Sequence, residues 1–540
     1  MAASAVVVFI CLFGHLGAMG LVGPDEPRYA WIARAMAVTG DWVTPRLYGQ
    51  PWFEKPILYY WLAAFGFKTN LPAEWAARLP SAIAALAAAL AIGWLAWKHY
   101  GIEHDFAESP ALLAPLIFST SVAAVGFSRA ATPDMLFSAS ITLAMAGAAT
   151  VLRHAHALRS VSEKSASTAP RDSASLLFFG AFLGLAVLAK GPAGVILAGG
   201  AMGIWASATG RWRAAVRLAH PLAIAAFCVV ALPWYILCAR RNPQFMHEFI
   251  FQHNFERYLT PVFQHKQPFW FFGPMILLAL LPWTVLLIPA AREGLRKWRE
   301  KSLNDSPGFY FSCWAISPVL FFSFSQSKLP GYILPAVPAL SLLVAVAYTQ
   351  VTNRDSISAQ RIATALGLTW VAMGLSTATL IHRLPQGARE SMGHMIYICA
   401  ALAIGGGIAI AALKLPRKGG AILTSALLVV ILVEMAGAFL LPSLDPYISA
   451  RPHAEMLHND RRPERIFTFQ LQRSWDYGLA FYLERELPEW SPTDPQAALV
   501  LTTPKGLEKI QELGRLGGTL EESHRGILYV PVLPTLSREP

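Results

Sequence analysis

Charge is scarce in this chain. Only 14% of its 540 residues are Asp, Glu, Lys or Arg, against about one in four in soluble domains. Cysteine is scarcer still. The five present (Cys11, Cys228, Cys238, Cys313, Cys399) sit in or beside apolar segments, and none has CxxC spacing. This excludes a disulfide framework or a zinc knuckle and leaves the thiols as small core hydrophobes. Acids are outnumbered, 33 against 44 Lys plus Arg, for a net charge of +11. The basic residues form no tract and are scattered through short loops between apolar runs. That spread speaks against nucleic acid as a partner and fits the orientation signal of a membrane protein.

In place of charge the chain has apolar residues, 55% of the total. Runs of about 17–25 apolar residues can cross a bilayer as helices. About thirteen are present, at 4–22, 80–98, 110–127, 134–152, 175–189, 193–209, 219–238, 268–290, 308–325, 331–350, 361–381, 393–413 and 420–441. The first lacks the basic n-region of a cleaved signal peptide. Loops taken alternately differ about twofold in Lys and Arg density, so the richer set, including Arg153–Arg171 and Arg292–Lys301, is expected in the cytoplasm. Loop 23–79, loop 239–267 and the tail are then expected outside.

Loop 23–79 is too long for a connector. Asp25 can cap a helix with Pro27 in its first turn; Tyr29, Ile32, Ala33 and Met36 share a face, and Gly40 ends it. This predicts an amphipathic helix at the membrane surface, with a second from Pro56 through Phe67. After residue 441 charge rises and short strand-like runs appear at Arg465–Gln470, Ala497–Thr502 and Gly526–Val532. The expected organisation is mainly α: a multi-pass transmembrane domain, 1–441, and a small outer α/β domain, 442–540.

Several basic residues fall on the outer side, where positive charge is disfavoured. Lys55 precedes Pro56, Lys190 precedes Gly191-Pro192, and Lys328 precedes Leu329-Pro330-Gly331, each where a helix starts. Helix N-termini attract anions. With Arg28 and Arg257 on the same side, these turns point to the phosphate of a lipid, although a lysine at a helix end also snorkels to headgroups. The acids there are Asp25, Glu26, Glu54 and Asp134. Helix capping serves Asp25 and Asp134 as a structural alternative, and a surface ion pair with Lys55 serves Glu54. His253 and His265 flank Arg257 without metal-ligand spacing. Trp42, Trp52, Trp61 and Trp270 read as an aromatic belt.

The motifs Asp25-Glu26-Pro27-Arg28-Tyr29-Ala30, Gly40-Asp41-Trp42-Val43-Thr44-Pro45 and Phe53-Glu54-Lys55-Pro56 with Tyr60-Trp61 resemble the first outer loop of the lipid A aminoarabinose transferases. These are relatives of the protein O-mannosyltransferases among the GT-C membrane glycosyltransferases. The resemblance continues in order through Thr132-Pro133-Asp134, Lys190-Gly191, His253-Asn254 with Arg257-Tyr258, Gln264-His265, Leu281-Pro282-Trp283 and Lys328-Leu329-Pro330 with Tyr332. It implies a GT-C fold of about 13 membrane helices with surface helices in the first outer loop. It implies a polyprenyl-phosphate sugar donor and, in the nearest relatives, a lipid A phosphate as acceptor.

By the same resemblance, Lys55 and Arg257 meet the carrier phosphate. Arg28, Tyr29 and Lys190 join the donor site, Asp25 lies near the reacting centre with Asp134 and Glu54 in the same cavity, and a divalent metal near Glu54 is part of the same expectation. The residue reading adds Lys328 to the phosphate site, Glu26 to the catalytic candidates, and His253 and His265 as metal-ligand candidates with interfacial hydrogen bonding as their alternative. The expected reaction moves a sugar such as 4-amino-4-deoxy-L-arabinose to an envelope lipid at the outer face of a bacterial inner membrane. The alternatives are a protein O-mannosyltransferase-like enzyme and a non-catalytic transporter of lipid-linked sugar. The transporter reading requires charges inside spans, of which Glu434 is the chief instance.

Overall fold

The structure is a computed structural model. It describes residues 2–101, 108–160, 170–256, 266–384, 386–412, 420–459, 465–494, 496–517, 521–522 and 527–533. Eight helices are long and apolar enough to cross a membrane, among them Ala73–Tyr100, Asp134–Arg153, Pro330–Arg354 and Gly420–Ile448. At 1.5 Å per residue the 21 residues of Pro221–Arg241 span about 32 Å, the thickness of a bilayer core. Two further segments are bent pairs, Pro110–Ser119 with Val122–Ser128 (61°) and Phe269–Ala279 with Trp283–Arg299 (109°).

The remaining expected spans are shorter helices. They are α1, Ala2–Phe13, together with Ala193–Thr209 and Pro307–Ser323. Every expected apolar run is thus helical, but the count of long spans is eight to ten among the described residues rather than about thirteen. Proline accounts for part of the difference. Pro282 lies at the second bend, where a missing N–H and a fixed φ interrupt the helical ladder.

Close approach between spans relies on small residues. A Cβ added at Gly367 would stand 2.4 Å from the carbonyl oxygen of Gly407, so the Ser356–Arg383 and Arg389–Ala412 spans meet backbone to backbone there. Tryptophan donors are met inside the bundle. Trp283 Nε1 donates to Thr120 Oγ1 at 3.1 Å and Trp370 Nε1 to Ser425 Oγ at 2.7 Å. Glu434, the charge expected inside a span, is paired with His15 Nε2 at 2.9 Å. It ties the end of the first apolar segment to the last span and marks no path through the bundle.

In the first outer loop, α2 runs Asp25–Thr39 and α3 runs Leu58–Lys68, followed by α4, Ala73–Tyr100. Gly40 closes α2 in the left-handed region at φ 73°, its N–H reaching Met36 O, as expected of a C-terminal glycine. Tyr29, Ile32, Ala33 and Met36 are all buried, and Tyr29 packs on the rings of Tyr59 and Tyr60. Between α2 and α3 a two-residue hairpin pairs β1 (Arg46–Leu47) with β2 (Gln50–Pro51). Tyr48 and Gly49 both have positive φ at its tip, the geometry that matches strand twist in such turns.

The last apolar segment runs on as helix to Ile448, past the expected boundary at 441. Beyond it β3 (Ile466–Phe469), β4 (Ala498–Thr502), β5 (Glu521–Glu522) and β6 (Leu528–Val532) form one sheet in the order β3-β4-β6-β5. β3 and β4 are parallel and the other pairs antiparallel. Leu499 and Leu501 of β4 pack with the helix Arg473–Leu483 on one face, and Ala498 and Val500 pack with Ile510 on the other. Successive side chains thus enter opposite cores, which is why the run is apolar almost throughout.

Candidate active site

The helix Arg473–Leu483 seats this sheet unit against the first outer loop. Arg34 of α2 donates to Phe481 O at 2.6 Å and covers its ring, and Tyr482 Oη joins Leu21 N to Glu74. Arg78 of α4 fastens the entry to α2 by donating to Leu16 O, Met19 O, Gly20 O and Glu26. The start of α2 is therefore held from both sides, and its first turn opens onto a cleft.

Arg28 lies at the centre of that cleft. Its Nη2 donates to Asp25 Oδ1 at 2.6 Å and stands 2.8 Å from Glu54 Oε2, while Lys55 Nζ lies 3.3 Å from Glu54 Oε1. Burial disfavours the Arg28 charge, but Glu54, followed by the dipolar and acidic neighbours Tyr29 and Asp25, holds its pKa above the ordinary value. Tyr29, Trp52 and Tyr477 present rings to the guanidinium at 5.2, 5.5 and 5.8 Å. Burial also keeps the phenols of Tyr29 and Tyr60 protonated, well above their usual range.

Asp25 is the most open acid of the group. Its side chain is 52% exposed, against 12% for Glu54 and 20% for Asp134. It caps nothing. The residue before α2 is Pro24 and no side-chain cap is made, so Asp25 turns to Arg28 instead. Its pKa is raised, first by the loss of bulk water in the cleft; Arg28 opposes this, Glu54 adds to it, Lys55 opposes and Asp134 adds. Lys55 and Asp134 are thus near enough to Asp25 to act on its charge.

Asp134, at the start of its span, is ion-paired with Lys190. Lys190 Nζ also stands 4.7 Å from the ring of Tyr332. The 3-10 helix Pro330–Ala336, which carries Tyr332, is close-packed here: a Cβ at Gly331 would meet Phe127 at 2.9 Å and Asp134 Oδ1 at 3.5 Å. Three cations (Arg28, Lys55, Lys190) thus interleave with three carboxylates. Among the described residues three buried donors, Arg28 Nε, Trp52 Nε1 and Tyr60 Oη, have no partner. Donors left unmet in a buried cleft cost stability unless a ligand accepts from them.

Residues 2–249 match the family model described as Dolichyl-phosphate-mannose-protein mannosyltransferase. The chain is 31% identical over 374 residues to the undecaprenyl phosphate-alpha-4-amino-4-deoxy-L-arabinose arabinosyl transferase of Edwardsiella ictaluri, covering 69% of this chain and 63% of that one. It is 34% identical over 328 residues to the protein of the same name from Erwinia tasmaniensis, covering 60% and 54%. The chain therefore spans between half and two thirds of the length of these relatives. Among solved structures, ArnT from Cupriavidus metallidurans bound to undecaprenyl phosphate superposes with a TM-score of 0.79 at 22% identity, over 98% of this chain and 96% of that one. The chain has the ArnT-like GT-C fold. The resemblance drawn from the ordered outer-loop motifs holds at this level, and the chain is a multi-pass membrane protein.

Glu26 and Lys328, expected in the site, are engaged by partners of their own. The Glu26 carboxylate accepts from Arg78 Nη2 at 2.8 Å, Val22 N at 2.8 Å and Ala131 N at 2.7 Å, and it is buried. These contacts anchor α2 to α4 and to the segment at Ala131. Lys328 is likewise turned inward, donating to Ser325 O at 2.6 Å and Gln267 O at 3.1 Å, with burial lowering its pKa. Both contacts are to neutral carbonyls, so Lys328 shapes the turn that presents Tyr332.

Arg257 and His265 lie outside the described residues, as does the side chain of His253. Among the described residues no three His, Cys, Asp or Glu side chains converge as metal ligands, and Glu54 is already engaged by Arg28 and Lys55. Tyr60, Tyr332 and Tyr477 were not singled out from sequence. Tyr60 and Tyr332 stand in quoted motifs and were within reach, whereas Tyr477 is brought in from the far end of the chain. Trp52, assigned to the belt, belongs to the cleft, while Trp270 is 68% exposed.

Proposed function

We propose that the chain transfers 4-amino-4-deoxy-L-arabinose, or a related sugar, from undecaprenyl phosphate to an envelope lipid such as lipid A, at the outer face of the inner membrane. The observation that carries this reading is the Arg28–Glu54–Lys55 cluster, with its three unpartnered buried donors, beside the open Asp25. Breaking the bond between the anomeric carbon and the carrier phosphate loads negative charge onto the departing phosphate. Lys55 and Arg28 are fixed cations in a protein-walled cleft and stabilise that charge as it grows. Arg257 joins them on sequence grounds.

Arg28 engages one Asp25 oxygen, and we assign the other to the sugar and acceptor. A hydroxyl acceptor must lose a proton, and there Asp25 serves as general base. A lipid A phosphate already carries an anionic oxygen at neutral pH, its second pKa being about 6. For that acceptor Asp25 orients the sugar and steadies positive charge at its anomeric carbon. The sheet unit after residue 448, seated over α2, is placed to help select the acceptor.

The test is direct. Purified protein is given undecaprenyl-phosphate-linked aminoarabinose with either lipid A or a Ser/Thr-rich peptide, and products are read by mass spectrometry. Pentosamine on lipid A supports the proposal. Transfer to peptide alone moves the chain to the protein-mannosyltransferase side of the family, and donor binding without turnover leaves a carrier protein.

A further inference from the structure

The Asp25 cleft occupies one end of the bundle. At the other end, past the bend at 280–282, lies the helix Leu287–Arg299. Ile288, Leu295 and Trp298 are more than half exposed and share a stripe at i, i+7 and i+10. Arg292, Arg296, Lys297 and Arg299 stand on the same helix. This is the composition of a helix at a membrane surface, apolar on one stripe and basic beside it.

A cavity of about 450 Å³ lies between this helix and the junction of the Pro330–Arg354 and Ser356–Arg383 spans. Part of its wall is apolar: Val285, Ile288, Pro289, Val351, Ile362 and Ala365. The rest carries Arg292, Arg296, Arg354 and Arg361 against a single carboxylate, Glu293.

The four arginines are not equivalent. Glu293 is buried and accepts from Arg296 Nε and Nη2 at 3.0 and 2.6 Å and from Arg354 Nη1 and Nη2 at 3.0 and 3.3 Å. One carboxylate braces two guanidinium groups. Arg292 and Arg361 are exposed and make no hydrogen bond or ion pair among the described residues, although Asp355, outside the cavity lining, acts electrostatically on Arg361. The cavity therefore joins an apolar wall to a surplus of positive charge, at the span ends that basic-residue density assigns to the cytoplasm.

We propose that this cavity binds an anionic phospholipid of the cytoplasmic leaflet, its phosphate between Arg292 and Arg361 and its acyl chains along the apolar wall. A free anion would meet the arginines but leave that wall facing water. A zwitterionic lipid would bring an ammonium group towards unpaired guanidinium groups. A net-negative headgroup on a lipid satisfies both halves of the lining, and juxtamembrane Lys and Arg attract such headgroups. The bound lipid fastens the surface helix to the two spans, remote from the Asp25 cleft.

The test uses delipidated full-length protein in detergent, with thermal unfolding followed on addition of phosphatidylglycerol, phosphatidylcholine or inorganic phosphate. Phosphatidylglycerol is expected to raise Tm; the other two are not. The variant Arg292→Gln/Arg361→Gln, which breaks no hydrogen bond or ion pair among the described residues, should need roughly tenfold more phosphatidylglycerol for the same shift. Arg292→Gln or Arg361→Gln alone gives the same comparison with a smaller change should the double variant fold poorly. An undiminished phosphatidylglycerol response in the variants, an equal response to phosphatidylcholine, or a full response to phosphate alone would each overturn the proposal.

Discussion

Arg28 Nη2 lies 2.8 Å from Glu54 Oε2, joining the first turn of α2 to the residue before Lys55. This single contact sets the positions of both cations, because Glu54 holds Lys55 with its other oxygen at 3.3 Å. Lys55→Ala leaves the Arg28–Glu54 contact in place, so the cleft should keep its shape and lose one phosphate-directed charge. A charge-assisted hydrogen bond contributes about 1.5–3 kcal/mol, which corresponds to a loss of roughly ten- to hundredfold in kcat/KM for the lipid-linked donor. Unchanged kinetics in a well-folded Lys55→Ala protein would remove Lys55 from the phosphate site.

Adjacent acids in the chain should behave in opposite ways. Glu26 is paired with Arg78, and both side chains are under 10% exposed. Removing one partner of a buried pair strands the other and costs about 3–5 kcal/mol. Glu26→Ala is therefore expected to lower Tm and folded yield, with turnover per folded molecule largely kept. A Glu26→Ala protein of normal Tm but no turnover would return Glu26 to the catalytic group.

The orientation of the chain can be read with cysteines. Thr69, at the end of α3, and Ser491, beside the C-terminal sheet, are exposed. Cys11, Cys238 and Cys313 are buried and compete little for reagent. Thr69→Cys and Ser491→Cys are expected to react with an impermeant thiol reagent on intact spheroplasts. Reaction only after lysis would invert the topology, and with it the side on which the cleft opens.

The reach of the sequence differs between parts of the molecule. Apolar runs gave every membrane helix because a span needs only length and low charge. They overstated the number of long spans because the two bends depend on backbone geometry within a run that stays apolar throughout. Strands β3, β4 and β6 were readable as short apolar runs, whereas the β1–β2 hairpin turns on a tyrosine with positive φ that no propensity favours. In the cleft, Asp25, Arg28, Glu54 and Lys55 were legible as one motif group. The fate of Glu26 was not, since its partner Arg78 comes from α4 and no local spacing links them. The same is true of Tyr477, which reaches Arg28 from a helix more than four hundred residues away along the chain.

Asp25 offers the sharpest test of the chemistry. It makes no helix cap, so replacing it with Asn removes charge and basicity without removing a structural hydrogen bond that α2 depends on. Its pKa is raised in the folded protein, chiefly by the loss of bulk water, so the folded state holds the Asp25 proton more tightly than the unfolded chain does. Ionised Asp25 therefore costs stability. The cost is absent below the ordinary carboxylate range, about pH 4, and grows as pH rises through the folded pKa. Asp25→Asn should accordingly melt no lower than the parent at pH 7, with the two converging in acid. Turnover should nonetheless fall by roughly a hundredfold or more, the usual span of acid–base contributions, while donor binding persists. A loss with a hydroxyl acceptor but not with a phosphate acceptor assigns Asp25 as general base, and a loss with both assigns it to holding the sugar. Near-normal turnover with both would move the catalytic role to Asp134, whose pairing with Lys190 would then have to open during the reaction.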